Sequence, residues 1–198
     1  MSAVLPQIEK HLTHAEYLDL EQQDDLRYEY IAGEVFAMAG GSESHALISA
    51  NILGMMINAL RDRPCRVYGS DMKLNIEQVD KFCYPDLQVL CEKGRRNASF
   101  VEGPALVVEV LSRSTEPYDR GLKFEHYRQI PELRYYLLLN QERHHAELFE
   151  RRDDGGWLLT EYSGPDAVIR FGEWQIELLL AEIYRDVEFV PVISTAPI

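Results

Sequence analysis

The chain has 198 residues, of which 46% are hydrophobic and 27% charged. These values suit one compact domain that can bury a core without covalent staples. No apolar run approaches the roughly 20 residues of a membrane-spanning helix, and the N-terminus lacks a basic segment followed by a long apolar stretch. We therefore expect a cytoplasmic protein that does not bind membranes.

The cysteines are three in number, and no two of them form a CxxC pair. The odd count argues against a disulfide framework or a zinc ribbon. We expect reduced thiols, with Cys83 and Cys91 buried at the two ends of a strand-like run.

The net charge of -13 is unfavourable for nucleic-acid binding, because such surfaces normally carry a basic patch. The charge is distributed unevenly. The segment from Lys93 to Arg128 contains seven basic and five acidic residues, so it carries a local charge of +2. The composition therefore neither excludes a basic groove nor shows one.

The first predicted elements are a helix, a hairpin and a second helix. Thr13 and Glu16 form a capping box that starts a helix reaching about Gln22. Strand-like runs at 27–31 and 34–38 flank Ala32 and Gly33, which predicts a β-hairpin. A longer helix is predicted over about 45–61 from its near 3.6-residue apolar period, with Pro64 after its end.

The central part of the chain predicts a sheet. Strand-like runs lie at 65–76, 84–91 and 105–111, and the last of these reads ALVVEVL, as expected for a central strand covered on both faces. A helix over about 117–129 and a strand over 134–139 follow. The order α-β-β-β-α-β predicts an α/β (α+β) fold with a mixed central sheet flanked by helices.

Beyond Asn140 the pattern changes to short alternating strands at 145–151, 157–163 and 167–171, followed by a short amphipathic segment at 174–184. We see no repeat and no linker. We therefore predict a single domain over residues 1–198, with its core at about 27–140 and a C-terminal β extension at about 141–198.

Two carboxylates stand out in the strand-like runs. Asp86 follows Pro85, and Glu109 lies in the middle of the most apolar strand, where a carboxylate is costly unless it is paired or bound to a metal. Alternation places Val107 and Glu109 on one face of that strand. Two carboxylates on adjacent strands repel each other, which raises a pKa or recruits a cation.

Hard oxygen ligands of this kind favour Mg²⁺ or Mn²⁺. Such a site can generate a nucleophilic water and stabilise a phosphoryl transition state. The alternative for Glu109 is pairing with an Arg or Lys, and Asp86 can equally be a residue that only starts a strand or turn.

An ordered set of segments carries a resemblance to a known family. The segments are RYEYIAGEVFAM, SHALISANI, VYGSDMKLNI, YPDLQVLC, PALVVEVLSRST, DRGLKFEHYRQI and ELRYYLLLN. Over about residues 15–140 the chain resembles the PD-(D/E)xK nuclease superfamily and, more narrowly, its Uma-type restriction endonuclease family. The resemblance implies a restriction-endonuclease-like fold, and it implies that Asp86 and Glu109 are metal ligands.

The catalytic lysine is the point at which the chain departs from the superfamily pattern. The position two residues after the second acid is Leu111, not lysine. In the Uma-type family the lysine lies on the following helix, and Lys123 matches that place. It could orient the attacking water or stabilise negative charge on the phosphoryl group. The alternatives are a solvated helix lysine and a catalytic role for Lys73.

Further candidates for the site are weaker. Glu34 matches the Gly-Glu pair of the family and is predicted as a third metal ligand, the alternative being an acid at the hairpin edge. Glu43 and His45, near the start of the second helix, and Asp71, two residues before Lys73, form a second tier.

We predict an Mg²⁺-dependent or Mn²⁺-dependent endonuclease that hydrolyses DNA phosphodiester bonds, with Asp86, Glu109 and Lys123 as its catalytic residues. A homodimer would suit the cutting of two strands. The net charge and Leu111 support an alternative, a catalytically degenerate nuclease fold that binds a protein partner. A third possibility is a phosphodiesterase acting on RNA or nucleotides.

Overall fold

A computed structural model describes residues 7–8, 11–23, 26–38 and 40–189. The α-helices are α1 (His14–Gln23), α2 (Glu43–Ala59), α3 (Glu116–Tyr118), α4 (Phe124–Tyr127) and α5 (Leu180–Ile183). The strands are β1 (Gln7–Ile8), β2 (Tyr28–Ile31), β3 (Glu34–Ala37), β4 (Arg66–Gly69), β5 (Lys73–Ile76), β6 (Lys81–Cys83), β7 (Leu87–Leu90), β8 (Arg95–Arg96), β9 (Phe100–Glu102), β10 (Leu106–Leu111), β11 (Tyr135–Asn140), β12 (His145–Arg151), β13 (Trp157–Ser163), β14 (Val168–Phe171) and β15 (Ile176–Leu179). Within these ranges no helix is long and apolar enough to cross a membrane.

The central sheet has six strands in the order β13-β12-β11-β10-β7-β4. Strands β10 and β11 run parallel, and the other neighbours run antiparallel. All six residues of β10 are buried, as expected for a strand with neighbours on both edges and cover on both faces. The predicted mixed sheet flanked by helices is therefore confirmed.

A second sheet has seven strands in the order β1-β3-β2-β6-β5-β9-β8. The predicted hairpin of β2 and β3 forms part of it, and its turn residues Ala32 and Gly33 have positive φ angles of 47° and 95°. The prediction of one strand over 65–76 is wrong. A turn after Gly69 sends β4 to the central sheet and β5 to the second sheet.

Helix α2 covers one face of the central sheet. Its N-terminus is capped by Ser42, whose Oγ accepts a hydrogen bond from the backbone N–H of His45 at 3.2 Å. Its apolar residues, including Ile48 and Ile52, pack in one buried cluster with Val108 and Val110 of β10. The helix thereby brings its first turn to the end of β10.

The opposite face of β10 is covered by the segment that follows it. Residues 116–127 form helix α3, a π-helix over Asp119–Lys123 and helix α4 without a break. Val107 and Leu111 of β10 pack on this side in a second cluster with Tyr127. The predicted alternation of β10 therefore holds, and the predicted helix over about 117–129 contains one wide π turn.

The region after β12 contains a further two-stranded sheet of β14 and β15. The segment at 174–184, predicted as one amphipathic element, is divided between β15 and α5.

The cysteines depart from the expectation of reduced thiols. Cys65 and Cys91 form a disulfide, while Cys83 is free and buried. The antiparallel register of β4 and β7 pairs Arg66 with Leu90. Cys65 precedes Arg66 and Cys91 follows Leu90, so the same register brings the two sulfurs together. The sequence alone could not show this register.

Candidate functional site

Glu109 is buried on the face of β10 that is covered by the helical segment 116–127. Its side chain is 4% exposed. Its Oε1 accepts a hydrogen bond from the hydroxyl of Tyr127 at 2.7 Å and lies 2.8 Å from Nζ of Lys123. Burial raises the pKa of Glu109 to about 8; Lys123 opposes this rise, and the charges of Asp86 and Asp119 add to it.

Asp86 lies beside Glu109, immediately before β7. Its Oδ2 accepts a hydrogen bond from the backbone N–H of Val110 at 2.7 Å, which fixes the carboxylate at the end of the central sheet. His45, in the first turn of α2, places its Nε2 3.2 Å from the same oxygen. Burial would lower the pKa of His45, but Asp86 outweighs this effect and raises it.

Lys123 lies in the π-helix and points into a group of carboxylates. Its Nζ is 3.4 Å from Oδ1 of Asp119, one turn earlier in the same helix. It is also 3.8 Å from Oε1 of Glu29, which comes from β2 of the second sheet. Burial would lower the pKa of Lys123, but the carboxylates of Glu109, Asp119 and Glu29 raise it well above its ordinary value, so the ammonium stays charged.

Glu29 belongs to the site, and the sequence analysis did not select it. It is buried, and its Oε2 accepts a hydrogen bond from Tyr118 at 3.0 Å and lies 3.6 Å from Nζ of Lys81. Burial would raise the pKa of Glu29, but Lys81 and Lys123 outweigh this and lower it. The signal in the sequence was an acid between two tyrosines, Tyr28 and Tyr30, in a strand-like run.

The structure places the remaining acidic candidates away from this group of side chains. Glu34 is exposed at the start of β3, and Glu43 is exposed at the start of α2; within the described residues neither side chain has a hydrogen bond or ion pair. Asp71 is exposed and pairs with Arg27 at 2.6 Å. No contact here supports Glu34 as a third ligand.

Lys73, the rival lysine, belongs to a separate buried group. It forms an ion pair with Glu21 of α1, and its Nζ lies 4.5 Å from the ring centre of Tyr17. Glu21 also accepts a hydrogen bond from Tyr84 at 2.8 Å. These contacts fix α1 to the second sheet, so Lys73 has a structural partner of its own.

The side chains present fit a hydrated Mg²⁺ or Mn²⁺ better than a metal enclosed by protein ligands. Among the described residues, no three His, Cys, Asp or Glu side chains are arranged to hold one ion. Mg²⁺, however, commonly binds one or two carboxylates and keeps several waters. Burial is the main cause of the raised pKa of Glu109, and the nearby carboxylates of Asp86 and Asp119 add to it by repulsion, which a bound cation would relieve.

The comparison with family models decides the relationship. The model named Uma2, described as "Putative restriction endonuclease", matches residues 14–181. The chain belongs to the Uma2 family. The resemblance to the Uma-type family, stated from the sequence segments, is thereby confirmed.

Relatives and a solved structure agree with membership of Uma2. Two uncharacterized proteins of Synechocystis sp., slr1290 and sll1609, are each 36% identical to this chain, over 179 and 170 residues, and the matches cover 94% and 96% of their lengths. A crystal structure from Anabaena variabilis, described as a "putative nuclease belonging to DUF820", superposes with a TM-score of 0.70 at 16% identity. The match covers 87% of this chain and 97% of that one, which shows a shared fold.

Proposed function

We propose that this Uma2 protein is a metal-dependent nuclease that hydrolyses phosphodiester bonds of DNA. The observation that carries the proposal is the 2.8 Å contact between Nζ of Lys123 and Oε1 of Glu109, beside Asp86. Two acidic residues can hold a metal ion, and a lysine beside them can direct a charged donor at the phosphate; here the following helix supplies the lysine. The family description and the nuclease-like fold support this proposal.

Each residue has a defined role in the proposed reaction. Asp86 and Glu109 would hold Mg²⁺ or Mn²⁺, which when bound lowers the pKa of water and stabilises charge on the phosphate. Lys123 donates hydrogen bonds from a permanently charged ammonium to the attacking water or to a phosphate oxygen. Tyr127 and the backbone of Val110 orient Glu109 and Asp86 by their hydrogen bonds.

The charges outside the site favour a second candidate, a non-enzymatic module that binds a protein. Three arginines of the segment 93–128 are paired with acids: Arg95 with Glu77 and Glu102, Arg113 with Glu142, and Arg120 with Glu116 and Glu147. Paired arginines have less charge to offer a phosphate backbone. DNA binding by this chain should therefore be weak and should depend only shallowly on salt, because few phosphates are neutralised.

The proposal is tested by cleavage of plasmid DNA with Mg²⁺ or Mn²⁺. The wild-type protein should nick or cut it, and Glu109→Gln or Lys123→Met should reduce the rate by about 10²-fold or more, as is typical when a positioned charged or proton-transferring group is lost. Lys93→Ala, which removes an exposed lysine, is the matched control and should cut at the wild-type rate. Activity that survives both site substitutions would refute the mechanism.

Metal binding separates the nuclease from the binding module without requiring the right substrate. A ligand that binds only the folded chain raises its stability. Mn²⁺ should therefore raise the thermal unfolding midpoint of the wild type but not that of Asp86→Asn. No shift in the wild type would favour the binding module. A shift without DNA cleavage, but with cleavage of RNA or a nucleotide diester, would change the substrate assignment.

A further inference from the structure

Glu29 connects the second sheet to the proposed active site. It lies on β2 of the second sheet, whereas Glu109 lies on β10 of the central sheet and Asp86 directly precedes β7 of that sheet. Its side chain is 8% exposed, and every partner that it has within the described residues is a lysine or a tyrosine hydroxyl. A buried carboxylate that takes this many partners from elsewhere in the chain has a definite task.

The two oxygens of Glu29 serve two different lysines. Oε1 faces Nζ of Lys123 at 3.8 Å, and Oε2 faces Nζ of Lys81 at 3.6 Å. The hydroxyl of Tyr118 donates to Oε2 at 3.0 Å and accepts a hydrogen bond from Lys81 at 2.7 Å. Lys81 is fully buried, so the carboxylate is held on one side by groups that take no part in the proposed chemistry.

The carboxylates around Lys123 are not equivalent. Glu109 is a proposed cation ligand, and any cation that it binds reduces the charge that it offers to Lys123 and also repels the ammonium. Glu29 has no such second duty, because its other oxygen is occupied by Lys81 and Tyr118. It therefore keeps its attraction for Lys123 when the charge state of Glu109 changes.

We propose that Glu29 is a positioning residue for Lys123, anchored by Lys81 and Tyr118, which keeps the ammonium directed at the reacting phosphate. This inference rests on the proposed nuclease function and adds a residue of the second sheet to its site. A displacement of about 1 Å in a catalytic group can cost about 10²-fold in rate. Loss of the Glu29 charge should therefore lower kcat on this scale and leave KM unchanged.

The first experiment compares Glu29→Gln with Glu21→Gln. Glu21 is the matched control, because it is also a buried carboxylate that pairs with a lysine, Lys73, and accepts hydrogen bonds from tyrosines. Both variants should lose stability, but only Glu29→Gln should lose kcat. Equal losses of kcat in the two variants would overturn the inference, since a general loss of stability would then explain both.

A second variant covers the case in which Glu29→Gln does not fold. Removal of Glu29 alone leaves Lys81 as a buried unpaired charge, which is strongly destabilising. The double variant Glu29→Gln/Lys81→Met removes both charges and should regain stability, yet it should keep the reduced kcat. Recovery of kcat together with stability would overturn the inference.

The third measurement does not depend on activity. In protein labelled with ¹⁵N-lysine, the ammonium signals of the buried Lys73, Lys81 and Lys123 report their surroundings directly. In metal-free protein, Glu29→Gln or the double variant should shift or broaden the signal of Lys123 and leave that of Lys73 in place. If the wild type cleaves no nucleic acid, the proposed function fails, but this spectrum still tests whether Glu29 positions Lys123. An unchanged Lys123 signal would overturn the positioning role.

Discussion

Glu109 is a carboxylate in the most apolar strand of the central sheet. The five other residues of its strand are apolar, and all are buried, so the acid lies where its charge is most costly. Lys123 and Tyr127 satisfy one of its oxygens, and its pKa is still raised to about 8. Valine at this position would avoid the cost of the buried acid but would deprive Lys123 of its nearest carboxylate, so Glu109 and Lys123 have to be considered as one buried charged group.

The raised pKa of Glu109 predicts a pH dependence of the metal-free protein. Its ordinary pKa is 4.5, so the folded chain binds a proton that the unfolded chain releases between that pH and about 8. The contribution of Glu109 to stability is thus present below pH 4.5 and is lost as pH rises through 8. Unfolding by urea in EDTA should show wild type losing more stability than Glu109→Gln between about pH 5 and about pH 9. Equal losses would contradict the assignment.

At the residue scale the sequence predicted part of the site. A buried strand acid is visible from hydrophobicity, so Asp86 and Glu109 could be selected, and the family resemblance pointed to Lys123. Glu34 was chosen because it matches the Gly-Glu pair of the family, and nothing in the local pattern singled out Glu29. Both faces of β2 are covered, and Tyr28, Glu29 and Tyr30 are all buried. The residues that cover both faces come from distant segments of the chain, so the local sequence pattern does not predict this burial.

At the scale of one element, the π-helix over Asp119–Lys123 sets the position of the lysine. A π turn holds one residue more than an α turn and occurs frequently at functional sites. Here Asp119 and Lys123, its first and last residues, are both buried, while Gly121 and Leu122 between them are exposed. Both charged side chains lie on the same side, as residues four apart do on a helix, and the wide turn sets the angle between them.

Deletion of Leu122 tests this role of the π turn. With one residue fewer, the turn should tighten to α-helical geometry, which changes the angle between the Asp119 and Lys123 side chains and should displace the ammonium of Lys123 from Glu109. We expect DNA cleavage to be lost while the circular dichroism spectrum and the unfolding midpoint are retained. Leu122→Ala, which keeps the residue count and removes only an exposed side chain, should cleave normally. Wild-type cleavage by the deletion variant would show that the turn has no such role.

At the scale of the whole molecule, the disulfide joins segments that lie 26 residues apart in the sequence. Cys65 precedes β4, an edge strand of the central sheet, and Cys91 follows β7, the strand that begins beside Asp86. Between them the chain leaves the central sheet to form β5 and β6 of the second sheet. The bond therefore closes a loop that contains part of both sheets.

Reduction of this bond should destabilise the protein. For a loop of this length, the loss of chain entropy in the unfolded state corresponds to about 3 kcal/mol. The free energy of unfolding in urea should fall by this amount on addition of a reductant, and Cys65→Ser should abolish the difference. Cys83→Ala, which alters the free cysteine, should remain sensitive to the reductant. A wild type that is insensitive to the reductant would count against the bond in solution.

The sequence predicted the architecture of the central sheet better than that of the second sheet. Strands β10, β12 and β13 could be read from β-branched or alternating runs, and the capping box at Thr13 and Glu16 is present in the structure. The short strands β6, β8 and β9 have only two or three residues, too few for a period to appear. Their pairing depends on contacts between segments far apart in the chain.

Tyr118 and Glu29 are joined by a hydrogen bond although they lie 89 residues apart in the sequence. This separation determines when the contact can form during synthesis and folding. During synthesis, β2 leaves the ribosome long before the helix that carries Lys123. A nascent or partly folded chain therefore has the acids of one sheet without the lysine of the other segment. The contact between Glu29 and Lys123 forms only when the second sheet packs against the helical segment 116–127.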